Sequence, residues 1–287
     1  MATNLAKAPL KKPLIIQNRT RARSDEFAET LDDKVVVVDK IEDAVNKSDI
    51  IFSCLSNDDT VKEVLTSACT VGIKGKLFVE CSTVLPETST AMAALITSKG
   101  GHFVASPVFG APAVAMAGSL VFVLAGPKAD VDRVIPYTKG VMGKAYIYLG
   151  EDYKKATGLK VVGNSFVLSM VEGIAEAHVL AEASGVGRDA FHECLHAIFG
   201  NTPMTAYSDR MRSGEYYKRE EPLFGVDLAR KDSGHMLSMA KNHGVKMANV
   251  EVIDKHFAQV QKHMGSRGDI TGCYGAVRME AGLPFEN

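Results

Sequence analysis

Several features that define common protein classes are scarce in this 287-residue chain. Basic and acidic residues nearly balance, at a formal net charge of -1, so the sequence predicts a small-molecule partner and neither a nucleic-acid nor a membrane partner. The five cysteines are scattered and lack CxxC spacing, which argues against a disulfide framework or a zinc ribbon. No apolar run approaches the ~18 residues of a membrane span, and the N-terminus lacks a secretory apolar core. We therefore expect a soluble protein of a reducing compartment.

Glycine is absent from the N-terminal stretch, which reads MATNLAKAPLKKPLIIQNRT. Its short apolar run ends in Asn18, Arg19 and Thr20, a pattern that is typical of the second strand of a nucleotide-binding fold. In such folds a glycine-rich loop stands before that strand and holds the pyrophosphate. The sequence therefore predicts half of a phosphate site and leaves the other half unaccounted for.

Short apolar runs alternate with polar, helix-like segments over residues 13–150, within a composition that is 46% hydrophobic. Runs this rich in Val, Ile and Phe, joined at first by helical connections, predict a mostly parallel sheet covered on both faces, which is a doubly wound, Rossmann-like α/β domain. The runs are LIIQ (14–17), KVVVV (34–38), DIIFSCL (49–55), KLFVEC (76–81), HFVAS (102–106), LVFVLAG (120–126) and KAYIYLG (144–150). Three adjacent residues are candidate caps of the helix near residue 60, namely Asp58, Asp59 and Thr60.

After residue 150 the strand pattern stops and apolar residues recur at three- and four-residue spacing. We expect one long helix that ends near Gly185 or Gly187, then further helices near 188–199, 224–243, 248–264 and 270–281. The sequence therefore predicts an α/β domain over residues 1–155 and an all-helical domain over residues 156–287. A ligand site would then lie in the crevice between the two domains.

Four segments carry residues suited to chemistry. Ser82 and Thr83 follow the KLFVEC strand, where ligands bind in sheets of this kind, although a capping turn has the same composition. Gly110 permits close backbone approach in SPVFGAPAVAMAG, which suits a carboxylate but also an ordinary turn. Lys160 and Asn164 are four residues apart on the long helix, so a lysine that exchanges a proton would have an orienting amide beside it. Lys231 could reach the cofactor or substrate, while the adjacent Asp232 could hold an interdomain contact. The alternative for this Lys-Asp pair is a surface ion pair.

The order and spacing of these segments resemble the β-hydroxyacid dehydrogenases, the superfamily of 3-hydroxyisobutyrate dehydrogenase and 6-phosphogluconate dehydrogenase. The resemblance spans nearly the whole chain. ECSTVLPETS is similar to the family's DxSTxxP segment, SPVFGAPAVAMAGSL to APVSGGxxxAxxGxL, GLKVVGN to the KxxxN catalytic helix, and RKD to its Lys-Asp pair.

This resemblance implies an NAD(P)-dependent oxidoreductase that transfers a hydride between the nicotinamide and a small β-hydroxyacid or a carboxylate-bearing aldehyde or keto acid. It implies Lys160 as general acid/base with Asn164 as its substrate-orienting partner. It further implies a homodimer and two sets of binding residues. The cofactor-binding set is Asn18, Arg19, Thr20, Leu55, Ser56, Thr83 and Lys231, and the substrate-binding set is Ser82, Phe109, Gly110, Ala111 and Asn164.

The chain departs from the family pattern at the turn near residue 110. Phe109 stands where the family has serine, and Ala111 replaces the second glycine. A hydroxyl contact to the substrate is therefore lost and the pocket gains an aromatic wall. We expect a bulkier or more apolar substrate than hydroxyisobutyrate.

The segment QNRTRAR carries Arg19, Arg21 and Arg23 and no carboxylate, which favours NADP over NAD, because arginine pairs with the 2′-phosphate. MATNLAKA resembles the end of the family's glycine-rich motif, so the chain is expected to begin inside the first helix and to lack the central strand. Two explanations compete: the sequence is a shortened form of a longer enzyme, or it is a natural protein whose cofactor binding is weakened or lost. The first is favoured because Lys160, Asn164 and Lys231 remain in place. We expect a cytoplasmic protein, with a mitochondrial location left open.

Two readings from other classes compete with a dehydrogenase. His192 and His196 lie in a literal HExxH, which on a helix could bind zinc, but no third ligand is evident and we expect no metal. The second alternative is a catalytically inactive binding or assembly module that lost its cofactor together with the glycine loop. Retention of Lys160 argues against that module.

Overall fold

The structure is a computed structural model that describes residues 1–287, apart from the side chain of Asp32. It divides into an N-terminal unit, Met1–Lys160, and a helical unit, Val161–Asn287. The N-terminal unit is α/β and the second unit is helical, so the predicted fold class is confirmed. The boundary after residue 155 stays a prediction.

The strands of the N-terminal unit are short. They are β1 (Leu14–Ile16), β2 (Val35–Val37), β3 (Ile50–Ser53), β4 (Leu77–Glu80), β5 (His102–Ala105), β6 (Val108–Phe109), β7 (Leu120–Leu124) and β8 (Gly143–Tyr148). Every predicted run contains a strand, and β6 is an addition.

Helices connect these strands and make up most of the second unit. In the N-terminal unit they are α1 (Ala2–Lys7), α2 (Arg21–Glu29), α3 (Ile41–Asn46), α4 (Asp58–Ala68), α5 (Pro86–Ser98), α6 (Pro112–Met116) and α7 (Lys128–Thr138). Then follow α8 (Tyr153–Ala183), α9 (Arg188–Phe199), α10 (Pro203–Arg212), α11 (Glu215–Lys218), α12 (Val226–Asn242), α13 (Ala248–Met264) and α14 (Cys273–Glu280).

The strand pairing is mostly parallel, as predicted, but it is divided into three pieces. β1 pairs with β2, β4 lies between β3 and β5, and β7 lies between β8 and the antiparallel β6. Among the described residues β1 and β3 do not pair with each other or share a neighbour.

Strand β4, which lies between β3 and β5, is buried along its whole length, and its side chains alternate between two cores. Phe78 joins one core with residues of α4 and α5, including Leu65 and Ile96. Leu77 joins the opposite core with Phe122 of β7 and residues of α7. Coverage on both faces explains why the parallel strands read as continuous apolar runs.

The capping prediction for α4 is wrong. Asn57 is the N-cap, and its side-chain oxygen accepts a hydrogen bond of 2.8 Å from the amide of Thr60. Asp58 instead accepts hydrogen bonds from the Leu85 amide at 2.9 Å and from the Thr88 hydroxyl at 2.6 Å. Asp58 thereby fastens the turn after β4 to the start of α4.

Helix α8 supplies much of the core of the helical unit. Leu168 and Val171 of α8 pack with Ile253 and Phe257 of α13. By length and composition alone α8 could cross a membrane, because an 18-residue window has a mean hydropathy of 1.2, with 39% of it buried. The core helix of a soluble protein passes the same test, so the expectation of no membrane partner stays a prediction.

A buried ion pair joins α8 to α13 and α14. His256 Nδ1 lies 2.6 Å from the Glu172 carboxylate, and its Nε2 lies 3.2 Å from Glu280. The hydrogen bond to Glu172 raises the pKa of His256 above its ordinary value of 6.5. Because folding raises this pKa, protonated His256 contributes its full stabilisation below the pKa that it has in the unfolded state. That contribution is lost as pH rises through the pKa of the folded state.

We therefore expect the urea concentration at the unfolding midpoint to decrease as pH is raised from 6 to 9. This decrease should be larger in the unsubstituted protein than in His256→Gln. His243→Gln is a matched control because His243 is exposed at the end of α12, so its pH profile should follow the unsubstituted one. Circular dichroism at 222 nm measures each midpoint. Parallel profiles for His256→Gln and the unsubstituted protein would contradict this role of the ion pair.

Candidate functional site

The carboxyl ends of β3 and β4 are tied together by a buried carboxyl group. One oxygen of Glu80 accepts a 2.6 Å hydrogen bond from the Ser82 amide, and the other accepts the hydroxyl of Ser53. The Ser82 hydroxyl oxygen in turn accepts the amide of Leu55 at 2.7 Å. Burial raises the pKa of Glu80. The structure thus brings together Ser82 and Leu55, from the predicted substrate and cofactor sets.

Glu80 itself was not a predicted site residue. It stands where the family segment has aspartate, and that position was the available signal. Its two oxygens hold the chain where β3 and β4 end, through Ser53 and Ser82. Two predicted cofactor-binding residues lie in the loops that follow, Ser56 after β3 and Thr83 after β4. Hydrogen bonds within the protein therefore hold both strand ends in place before any ligand binds.

The turn at Gly110 follows β6, whose Phe109 is in register with Val121 of β7. Gly110 has φ of +139°, which disfavours any other residue, and an added Cβ would lie 2.7 Å from Leu120 Cδ2. Ala111 is the N-cap of α6, which has only five residues. The structure therefore explains the glycine by local packing, and the predicted carboxylate contact stays a prediction.

Gly110→Ala should destabilise the protein by about 1–3 kcal/mol, through backbone strain and the clash with Leu120. Gly158→Ala is the matched control, because this helical glycine has nothing within 4 Å of its added Cβ. The control should be neutral or stabilising by up to ~1 kcal/mol. Urea unfolding measures both values, and equal stabilities for the two variants would contradict the argument.

Lys160 and Phe109 meet in the N-terminal unit, although 51 positions separate them in the chain. The Lys160 Nζ lies 4.4 Å from the centre of the Phe109 ring. This distance is within the ~6 Å of a cation–π contact. The predicted general acid/base and the predicted aromatic wall are therefore neighbours.

Asn164 is the next residue on the same face of α8 and is buried in the helical unit. Its Nδ2 donates a 2.8 Å hydrogen bond to Asp232 of α12, whose other oxygen lies 3.1 Å from Lys231 Nζ. The KxxxN and Lys-Asp segments thus meet through Asp232. Asp232 was predicted to hold an interdomain contact, and its contact with Asn164 was not predicted.

The basic segment after β1 is exposed to solvent. Asn18 Oδ1 accepts the Thr20 amide at 2.9 Å and closes a turn around Arg19. Arg21 contacts two carboxylates, Asp25 at 2.8 Å and Asp39. An exposed guanidinium beside a strand end fits the 2′-phosphate of NADP, whereas residues 1–13 contain no glycine to cradle a pyrophosphate. The residues fit the adenosine end of the cofactor better than its centre.

The HExxH histidines lie on α9 and have partners of other kinds. His192 Nδ1 is 3.0 Å from the Ser208 hydroxyl, and His196 Nε2 is 2.8 Å from the side-chain oxygen of Asn201. The same Ser208 hydroxyl lies 2.7 Å from buried His178, whose pKa is lowered to about 4 by burial. Across the described residues, no group of three His, Cys, Asp or Glu side chains could hold a metal ion.

Two family models match the chain. Residues 1–150 match the NAD binding domain of 6-phosphogluconate dehydrogenase, and residues 155–277 match the model described as NAD-binding of NADP-dependent 3-hydroxyisobutyrate dehydrogenase. The chain is 37% identical over 286 residues to the NADH-dependent oxidoreductase ucdB of Aspergillus ustus, covering 99% of this chain and 97% of that one. It is 29% identical over 269 residues to glyoxylate/succinic semialdehyde reductase 1 of Arabidopsis thaliana, covering 91% and 88% of the two chains.

The fold also matches a solved structure, 3-hydroxyisobutyrate dehydrogenase from Salmonella typhimurium. The TM-score is 0.83 at 17% identity, with 95% of this chain and 93% of that chain covered. Fold and family models together define an NAD(P)-dependent oxidoreductase. The chain belongs to the β-hydroxyacid dehydrogenase superfamily, which confirms the resemblance seen in its motifs.

Proposed function

We propose that this protein is an NADP-preferring reductase of a small carboxylate-bearing aldehyde or keto acid, with Lys160 as the general acid. The observation that carries the proposal is the arrangement on α8. Lys160 lies beside the Phe109 ring, and Asn164, one turn further on, is held by Asp232 at 2.8 Å. A proton donor and an adjacent oriented amide are the two groups that a carbonyl oxygen needs during reduction.

A nicotinamide cofactor, when bound, would supply the hydride that the carbonyl carbon accepts. As the carbonyl π electrons move to oxygen, Lys160 gives its Nζ proton to that oxygen, which yields the hydroxy acid and a neutral amine. The amide of Asn164 orients the carbonyl, with its own orientation fixed by Asp232. Ser82 and the turn at Gly110 are proposed to bind the substrate carboxylate.

Substrates of named relatives define the first compounds to try. Those relatives include glyoxylate/succinic semialdehyde reductase 1 and the 2-hydroxy-3-oxopropionate reductase of Escherichia coli. We expect NADPH oxidation with at least one of glyoxylate, succinic semialdehyde and 2-hydroxy-3-oxopropionate. No oxidation with any of them, together with no binding of NADPH or NADH, would favour the inactive module.

The proposed NADP preference rests on Arg19. We expect Arg19→Ala to weaken the binding of NADPH by about 10- to 100-fold, because one charge-assisted hydrogen bond to phosphate is lost. The affinity for NADH should change by less than about twofold. One relative is named NADH-dependent, so the alternative outcome is tighter binding of NADH than of NADPH by the unsubstituted protein. Equal losses for the two cofactors would contradict a role of Arg19 at the 2′-phosphate.

We also propose that the protein forms a homodimer through its helical unit. Val162 and Phe166 of α8 are 53% and 71% exposed, and Phe166 lines an open, mainly apolar groove of about 690 Å³. Exposed apolar surface of this kind is typical of subunit interfaces. Light scattering at micromolar concentration tests this proposal, and a monomer mass would contradict it.

A further inference from the structure

Phe109 is placed to act on the charged end of Lys160. The ammonium lies 4.4 Å from the centre of the ring. Phe109 is half-buried, and β6 holds it in register with Val121 of β7. Gly110, the next residue, fixes the backbone where β6 ends, because its φ of +139° and close contacts leave no room for a side chain. The ring is therefore presented by a constrained piece of backbone.

The family segment APVSGG has serine where this sequence has Phe109. A serine hydroxyl can hydrogen-bond a substrate, whereas a phenyl ring offers a face of negative electrostatic potential. The substitution thus exchanges a contact to the substrate for a contact to the proton donor.

We propose that Phe109 is a positioning residue for Lys160, holding its ammonium group over the ring face by a cation–π contact; this inference rests on the proposed function. The ring attracts the cation and not the neutral amine, so it favours the form of Lys160 that can donate a proton. It acts alongside the other contacts of Lys160. Phe109 therefore helps to keep Lys160 charged and in place as a proton donor to a carbonyl oxygen.

Solution NMR tests the contact without any substrate. Reductive methylation with ¹³C-formaldehyde gives each lysine a dimethylamine signal, and the signal of Lys160 is the one that disappears in Lys160→Arg. We expect its methyl protons to be shifted upfield by the ring, and this shift to vanish in Phe109→Leu and persist in Phe109→Tyr. An unshifted signal in the unsubstituted protein, or the same shift in Phe109→Leu, would overturn the proposal.

Fluorination tests the function of the contact, because it withdraws charge from the ring face with little change of shape. Phe109 is replaced by its 4-fluoro, 3,5-difluoro and 3,4,5-trifluoro analogues, and reduction is measured with NADPH and the carbonyl compound that gives the highest rate. We expect kcat to fall stepwise, by about 5- to 30-fold in total, with KM changed by less than about twofold. Equal kcat values across the series would overturn the positioning role, since a purely structural ring would tolerate fluorine.

The two proposals can fail separately. Full activity of Lys160→Ala would defeat the proposed function, while the NMR shift would still report whether the ring holds the ammonium. An inactive Lys160→Ala with an unshifted signal and a flat fluorine series would defeat the role of Phe109 alone. Circular dichroism of Phe109→Leu identifies a folding defect, and the fluorinated series remains decisive in that case.

Discussion

Lys160→Ala lowers kcat for carbonyl reduction by at least about 100-fold, the lower end of the contribution of a general acid. Alanine removes the proton donor that lies beside Phe109 and leaves Asn164 held by Asp232. Binding of the cofactor should persist, because the cationic residues after β1 are unchanged. Initial rates with NADPH, together with a fluorescence titration of NADPH, separate the two quantities.

Two further variants control for general effects of charge and helix stability. Lys155→Ala removes an exposed lysine from the first turns of α8 and should change kcat by less than about twofold. Lys160→Arg keeps the positive charge but gives up its proton poorly, since arginine stays protonated in proteins, so it should resemble the alanine variant. Near-normal turnover of Lys160→Ala would rule out its assignment as general acid.

Asp269→Ala is expected to have the largest effect on stability, a loss of about 3–5 kcal/mol in the free energy of unfolding of the helical unit. The Asp269 carboxylate is 1% exposed. One oxygen accepts the Leu223 and Phe224 amides at 2.9 and 3.0 Å. The other accepts the Arg210 guanidinium and both donors of Thr271. Removing it leaves a buried guanidinium without this carboxylate and three amides without an acceptor.

Urea denaturation followed at 222 nm measures this loss, because helices dominate the second unit. Asp189→Ala is the matched control, since its 79% exposed side chain pairs with Arg212 at 3.0 Å on the surface. An exposed pair of this kind contributes less than about 1 kcal/mol. A loss below about 1 kcal/mol for Asp269→Ala, equal to that of the control, would contradict the central place of this carboxylate.

The sequence predicted the elements whose signals are local. The apolar runs of β4 and β7 are predictable because both strands are buried, and a buried strand requires apolar side chains along its length. Helix α10 was missed because its sequence PMTAYSDRMR is polar. Its start does carry a signal, since Pro203 occupies the first turn and the Thr205 hydroxyl accepts the Thr202 amide at 3.0 Å.

Contacts between distant segments could not be predicted from one sequence. Nothing near Lys160 in the chain indicates that Phe109 lies 4.4 Å from its Nζ, because that contact depends on the end of β6. The bond between Asn164 and Asp232 likewise requires α8 and α12 to pack side by side. In the second case the motifs named the correct segments, and only the structure supplied the partner.

The same limit explains the cap of α4. Asp58, Asp59 and Thr60 are all suitable cap residues, as is Asn57, so composition alone does not choose among them. Asp58 instead accepts hydrogen bonds from the Leu85 amide and the Thr88 hydroxyl, which are 27 and 30 positions away in the chain. Asn57 then caps the helix.

We propose that this chain, which has no glycine before β1, holds NADPH and uses it. Fluorescence titration of the 287-residue protein with NADPH tests this claim most directly. We expect saturable binding that Arg19→Ala weakens about 10-fold or more and that Lys160→Ala leaves unchanged. Absence of saturable binding at millimolar NADPH and NADH would contradict it and favour a protein that keeps the dehydrogenase fold without its cofactor.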